Sequence, residues 1–299
     1  MKRRTRPPEA EHPAERLLFE LPPRLPEDPK FPRLRHPVWT EHKANLIARY
    51  LYYFVLITKH GTYIDGFAGP QRPENPEMWS AKLVLESEPR RLRHFYLFDK
   101  SANQIALLEA LRSSQPKVPG RTIQIFEGDF NNKVRQLLGS GKIKQTEAAF
   151  CLLDQRTFQC HWRTLGQLAR YKRKGRPKIE LFYFLAVSWL PRALSGVRDN
   201  SLLRNWWDRK DWRQLKEWST DQIRDELISR FKSELRYKYA LPYPIFEAVG
   251  SANVVYYMIH ATDHDEAPKL MTRAYNKAIQ RRETPEQFLM GFARRDAKT

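Results

Sequence analysis

The chain is poor in cysteine, in long apolar runs and in acidic charge, and each shortage excludes something. Its two cysteines, Cys151 and Cys160, form no Cys-x-x-Cys pair and no Cys/His metal-ligand spacing. That excludes a structural zinc of the usual kind and fits a reducing compartment. No segment approaches the ~20 consecutive apolar residues that span a bilayer. The basic N-terminus lacks the apolar stretch of a signal peptide. A cytoplasmic protein with no membrane partner is the expectation. There is no phosphate-binding P-loop and no Ser-His-Asp order. Acidic residues number 34 against 53 lysines and arginines, so the net charge is +19. Excess cations attract phosphates over long range, so nucleic acid is the expected partner.

What is present is enough for a large core. The chain has 299 residues, of which 41% are apolar and 12% aromatic. Residues 1–37 carry nine of the 21 prolines among many arginines and lysines. Proline lacks a backbone donor and blocks helix interiors, so this reads as a basic Pro-rich arm, either a solubilising tail or a phosphate-contacting one. Residues 38–284 read as one domain, with a tail at 285–299.

From Trp39 to Ile57, Leu46, Ile47, Tyr50, Leu51, Phe54 and Val55 recur at helical spacing, with Thr40 as N-cap. Strand-like runs follow at Thr62–Phe67, Phe95–Phe98, Thr122–Phe126, Ala148–Leu153 and Ile179–Leu185. Helical segments separate them near Ala81–Glu86, Ala102–Arg112, Asn132–Leu138 and Trp162–Tyr171. This alternation predicts a parallel sheet with helices on both faces, and the unbroken apolar strands fit burial on both sides. Ile245–Val249 and Val254–Ala261 lie too close together for a parallel crossover and so predict a hairpin. A helix from about Glu266 to Gln280 closes the pattern. The fold expected is a Rossmann-like three-layer α/β sandwich. Its mostly parallel sheet is closed by an antiparallel C-terminal hairpin, as in class I methyltransferases.

Residues 188–243 break the repeat and read as a helical insertion, with a helix near Asp221–Leu235. It holds Trp189, Trp206, Trp207, Trp212 and Trp218. Most such rings pack an insertion onto its sheet; one or two can instead stack on a base.

In doubly wound sheets, ligands sit outside the carboxyl ends of the strands. Four such ends carry acids here. The first strand runs into Asp65-Gly66-Phe67-Ala68-Gly69, where glycine permits unusual backbone angles and close approach to a ligand. The second ends in Asp99, placed to accept from the ribose hydroxyls of an adenosine cofactor. Asp129 and Phe130 follow the third, suited to an adenine amino group and ring. Asp154 ends the fourth, beside the reacting atom. Each acid alone is as readily a cap or turn former; four in order at successive strand ends make a site. His42 and His161 lie near helix starts. His260, Asp263, His264 and Asp265 read as a turn entering a helix, not as a metal site. The run Arg170-Tyr171-Lys172-Arg173-Lys174-Gly175-Arg176-Pro177-Lys178 precedes the fifth strand, at the sheet edge opposite the acids. It is either a solvated loop or one that contacts the phosphates of a long nucleic acid or an assembly partner, through Lys172, Arg173, Lys174 and Arg176.

The stretches "YIDGFAGP", "FYLFDK", "FEGDFN", "FCLLDQRTFQCHWRTL" and "VVYYMIH" together resemble the three-Cys-motif partner protein family, TcmP, over about Trp39 to Gln280. The resemblance implies a class I methyltransferase-like fold and a protein partner carrying a three-cysteine motif. Three departures stand out. Gln71 replaces the glycine of FAGPG, Trp79-Ser80-Ala81 stands for Gly-Ser-Pro, and Asp154-Gln155-Arg156-Thr157 stands for Asp-Pro, aromatic, Gly. Amino-methyltransferases hold their target nitrogen with an Asp-Pro-Pro-Tyr type motif, of which only the Asp remains; Phe158 or Trp162 are candidate replacements for the ring. Arg156 sits where a substrate phosphate can be met.

Two functions follow. One is an S-adenosylmethionine-dependent methyltransferase acting on nucleic acid. The other is a fold that has lost catalysis and serves as a basic nucleic-acid- or partner-binding subunit, for example in phage defence. A different nucleotide-modifying reaction on the same fold is a third.

Overall fold

The computed structural model describes residues 38–248 and 251–278. The expected arm (1–37) and tail (285–299) lie outside that range. A two-residue strand, β1 (Val38–Trp39), leads through a 3-10 turn into α1 (Lys43–Thr58). All six periodic apolar positions of α1 are buried. The expected N-cap, Thr40, lies instead in the turn ahead of the helix, and its hydroxyl donates to the Glu247 carbonyl at 3.0 Å.

Five parallel strands follow: β2 (Gly61–Asp65), β3 (Leu92–Asp99), β4 (Thr122–Glu127), β5 (Ala149–Leu153) and β6 (Glu180–Leu185). The helices between them are α2 (Ser80–Leu85), α3 (Ala102–Ser114), α4 (Phe130–Gly139) and α5 (Trp162–Arg170). After β6 come α6 (Leu190–Gly196), α7 (Asn200–Trp207) and α8 (Thr220–Ser233), then β7 (Tyr239–Phe246), β8 (Val254–Thr262) and α9 (Ala267–Lys277). The strands form one sheet in the order β1-β7-β8-β6-β5-β2-β3-β4. β8 runs antiparallel to both neighbours. Leaving out the short β1 and renumbering from β2, the order is 3-2-1-4-5-7-6, the class I methyltransferase-like topology.

The period-two alternation of the strands divides the core in two. Tyr63, Phe150, Leu152 and Phe182 face α1, α2, α3 and α9. Ile64, Cys151, Leu153 and Leu181 face α4, α5 and the inserted helices. Every residue of β2 and β5 is buried, which is why β5 reads as an unbroken apolar run.

The hairpin differs from its sequence expectation. β7 begins at Tyr239, inside the stretch read as insertion, and ends at Phe246. Pro242 and Pro244 hide it from a propensity reading, because proline cannot donate within a sheet. The two lie two residues apart and so share one edge of the strand. On that edge the Pro244 carbonyl accepts from the Tyr275 hydroxyl at 2.6 Å, and among the described residues the only strand β7 meets there is β1. The missing donors therefore cost the ladder with β8 nothing.

The insertion is fastened by its aromatic residues. The Arg230 guanidinium, fully buried, lies 3.9 Å from the Trp162 ring centroid and 4.6 Å from that of Trp207. Glu234 accepts two bonds from it, at 2.9 and 3.1 Å, and one from the Trp162 indole at 2.7 Å. Ser219 and Gln222 form a reciprocal capping box at the start of α8. No described helix is long and apolar enough to cross a membrane.

Candidate functional site

Two cavities open at the carboxyl edge of the sheet. The larger, about 730 Å³, is lined by Lys43, Asp65, Trp79, Trp189 and Tyr256 among others. The smaller, about 540 Å³, is lined by Asp99, Gln104, Asp129, Phe130 and Arg156 among others. Both are lined by Phe67, Gly69, Pro70, Gln71 and Asp154. The loop after β2 and the acid after β5 therefore form the ridge between them. The strand-end acids named from the sequence all come to this edge.

The loop after β2 is pinned at each step. Gly66 N–H donates to the Leu152 carbonyl at 2.9 Å, and Ala68 N–H to that of Phe98 at 2.8 Å. The Trp79 indole donates to the Ala68 carbonyl at 2.6 Å, and the Gln104 amide to that of Pro70 at 3.1 Å. Neither Gly66 nor Gly69 has a positive φ; the positive-φ glycine at this edge is Gly128, at φ 127°. The expectation of unusual angles at the first two is thus corrected, and their need for glycine is one of space. A Cβ on Gly69 would lie 2.6 Å from Asp99 Oδ2 and from Gln104 Cβ. Gln71 is exposed on the ridge, facing both cavities.

Asp65 is buried. Its carboxylate accepts from the Tyr63 hydroxyl at 2.7 Å and from Phe67 N–H at 3.1 Å. Burial pushes its pKa up to about 7, against the pull of those two bonds, and the charges of Asp154 and Asp99 add to the rise. Asp99 Oδ2 accepts from Gly69 N–H at 3.2 Å and Oδ1 from Ser101 N–H at 2.9 Å. Each oxygen keeps a free lone pair. Beside it, the buried Gln104 Oε1 has no donor. Asp129, exposed, caps α4 by accepting from Asn132 N–H at 3.3 Å. Phe130 is buried between Phe67 and Phe98, at ring centroid distances of 5.8 and 5.2 Å. It meets the cavity as part of the wall, and the half-buried Phe67 is the more open ring.

Asp154 holds a partner that the sequence reading missed. The Lys43 ammonium lies 2.8 Å from its Oδ1 and 2.6 Å from its Oδ2, and 4.9 Å from the ring centroids of both Phe184 and Tyr256. Lys43 is in the first turn of α1, and no local pattern distinguishes a lysine that pairs across the sheet from one that is solvated. The residue after Asp154 is equally engaged. Gln155 is buried; its amide oxygen accepts from Cys160 N–H at 2.8 Å and its amide nitrogen donates to the Phe184 carbonyl at 3.5 Å. It braces the turn between β5 and α5, which accounts physically for a glutamine where the resembled family has proline. Phe158 packs on Trp206 at 5.0 Å, and Trp162 packs into the insertion. The candidate replacement rings are therefore held in the core. Arg156 is exposed at the mouth of the smaller cavity.

The other candidates separate. Lys172 is buried and donates to the carbonyls of Lys144 and, at 2.8 Å, Glu147; burial lowers its pKa to about 8. Its ammonium is committed to the fold, which removes it from the phosphate-contacting set, whereas Arg173, Lys174 and Arg176 are exposed. Cys151 and Cys160 are buried free thiols. His260 turns into the core against Glu180 at 3.1 Å, while Asp263 accepts from Lys238 N–H at 2.9 Å. Among the described residues, no group of three or more His, Cys, Asp or Glu is placed to hold a metal.

No family model matches the chain, and comparison with curated proteins gives no match.

Proposed function

We propose that the chain is an S-adenosylmethionine-dependent methyltransferase-like protein of the TcmP kind that acts on or is bound to nucleic acid. The unit from 38 to 284 carries the site, the basic arm at 1–37 reaches for phosphates, and a three-Cys-motif protein is the expected protein partner. The observation that carries this reading is the pair of cavities meeting at Asp154 and the loop after β2. One reactant on each side of a shared acid is the arrangement that a group transfer between two bound molecules needs.

The residues present fit the cofactor. The free lone pairs of Asp99 suit two ribose hydroxyls. Asp129 suits an adenine amino group and Phe67 the ring face. Gly66, Ala68 and Gly69 supply the backbone of the cradle, with Asp65 at its base and Phe130 behind it. When bound, the cofactor supplies a methyl group on a sulfonium, a leaving group that needs no general acid. The protein's part is then to align the acceptor and exclude water. Asp154 is the residue placed to hold the acceptor.

A specific observation favours the second reading, a fold without catalysis that serves as a binding subunit: Lys43 already occupies Asp154. Calorimetric titration with S-adenosylmethionine separates the two. The methyltransferase reading expects heat from the wild-type chain and its loss in Asp99→Ala. No heat from wild type, with nucleic acid still bound, establishes the second reading. Unchanged heat in Asp99→Ala removes the ribose assignment.

A further inference from the structure

We propose that the rim of the larger cavity around Trp189 is a stacking platform for an unpaired base of a single-stranded nucleic acid. The inference deepens the nucleic-acid reading above and rests on it, but it does not depend on the cofactor.

Two large apolar side chains stand exposed among the described residues: Trp189, 54% exposed, and Leu202, 45%. Both are in the insertion, and each lines one of the two cavities. The insertion's other described indoles are spent on packing: Trp206 and Trp207 are fully buried, Trp212 is 7% exposed, and Trp218 packs against Trp207. Leaving an indole in water at a cavity mouth forgoes the gain of burying it, so a ring held there is available to a ligand.

Its position fits a ligand at the same site. Trp189 immediately precedes α6, at the carboxyl end of β6 and so on the same sheet edge as Asp154. The Arg192 guanidinium lies 5.8 Å from its ring centroid. Arg192 and Arg72, both exposed, line the same cavity. The rim carries one exposed carboxylate, Glu247, which accepts from the Asn253 amide at 3.4 Å. A π-face with one guanidinium beside it and a second on the same cavity wall, on a +19 chain, matches a base attached to phosphates. A duplex hides its base faces in the stack and offers only edges in its grooves. A strand with unstacked bases offers the faces.

The test uses the full chain with fluorescently labelled oligothymidylate, the matching oligouridylate and a mixed-sequence duplex, in anisotropy titrations over a range of salt. Trp189→Ala is expected to weaken single-strand binding roughly tenfold, the value of one stacked base, without changing the salt slope. Trp189→Phe keeps a ring and is expected to lose far less. Arg192→Ala is expected to lower the slope of log K against log salt by about 0.7, one phosphate's worth on a single strand. Tryptophan fluorescence is expected to be quenched by the oligonucleotide in wild type and to lose most of that quenching in Trp189→Phe. Single-strand binding unaffected by Trp189→Ala overturns the proposal. So does equal loss on the duplex, quenching that persists in Trp189→Phe, or an indole at 189 that acrylamide cannot reach in the free protein. S-adenosylmethionine heat, measured on the same Trp189→Ala protein, reads the cofactor half separately. Its absence alongside Trp189-dependent strand binding removes the cofactor and keeps the platform.

Discussion

Asp65 is an acid that the fold holds close to its point of neutralisation. Its pKa is about 7 in the folded chain against 3.8 for the free side chain. The native state therefore keeps a proton that the unfolded chain releases. Below about pH 4 both states are protonated, and folding carries no penalty from this group. Between about pH 4 and pH 7 the unfolded chain has released this proton while the buried native carboxyl still holds it, so stability falls by something on the order of 4 kcal/mol and levels off once the native group also ionises. Asp65→Asn keeps an acceptor for Phe67 N–H and abolishes the ionisation. Urea unfolding of both proteins between pH 4 and pH 8 is expected to show a shallower decline for the variant, with the two curves separating towards neutral pH. Parallel curves contradict the assignment. Asp65, Asp99, Asp129 and Asp154 were legible in the sequence because a strand's end is a local signal. Lys43 was not, because its partner lies 111 positions away and only the folded sheet joins them.

At the scale of elements, the loop after β2 shows what a motif does and does not say. The sequence marked Gly66 and Gly69 as special and gave two reasons, unusual backbone angles and close approach to a ligand; the angles are ordinary. The reason is crowding by Leu153, Phe130, Asp99 and Gln104. Gly69→Ala puts a methyl group 2.6 Å from the Asp99 carboxylate. The loop must move, and its N–H bond to Asp99 goes with it. The expected cost is about 1–3 kcal/mol of stability, the usual range for overpacking. A loss of S-adenosylmethionine heat should accompany it, because the same shift displaces the proposed ribose acceptor. Thermal denaturation and calorimetry on one preparation check both; full stability and full heat mean that the loop is free to adapt. β7 carries a related lesson. Its prolines read as breaks because propensity averages over the two edges of a strand, and only the tertiary structure shows that the donor-less edge meets little.

At the scale of the molecule, the strand directions followed from one piece of arithmetic, a hairpin too short to be a crossover, and from the alternation before it; the strand order came from the fold. The packing of the insertion did not follow. Whether an indole is buried or stands at a cavity mouth depends on neighbours far away in sequence, and Trp189 and Trp207 look alike in the string. Charge is legible in amount and not in placement. Of the run before β6, Lys172 holds two carbonyls inside the fold, while Arg173, Lys174 and Arg176 remain exposed at the edge of the sheet opposite the cavities. A short strand seated at Trp189 has no reason to touch them, but a long one can wrap to that side. Replacing all three with glutamine is therefore expected to leave the affinity for a short oligonucleotide unchanged. For a long single strand it should reduce the salt slope by up to about 2, at roughly 0.7 per phosphate contact. Equal losses on short and long strands would place the run inside the primary site. No loss on either would make it a solvated loop and confine recognition to the cavity edge.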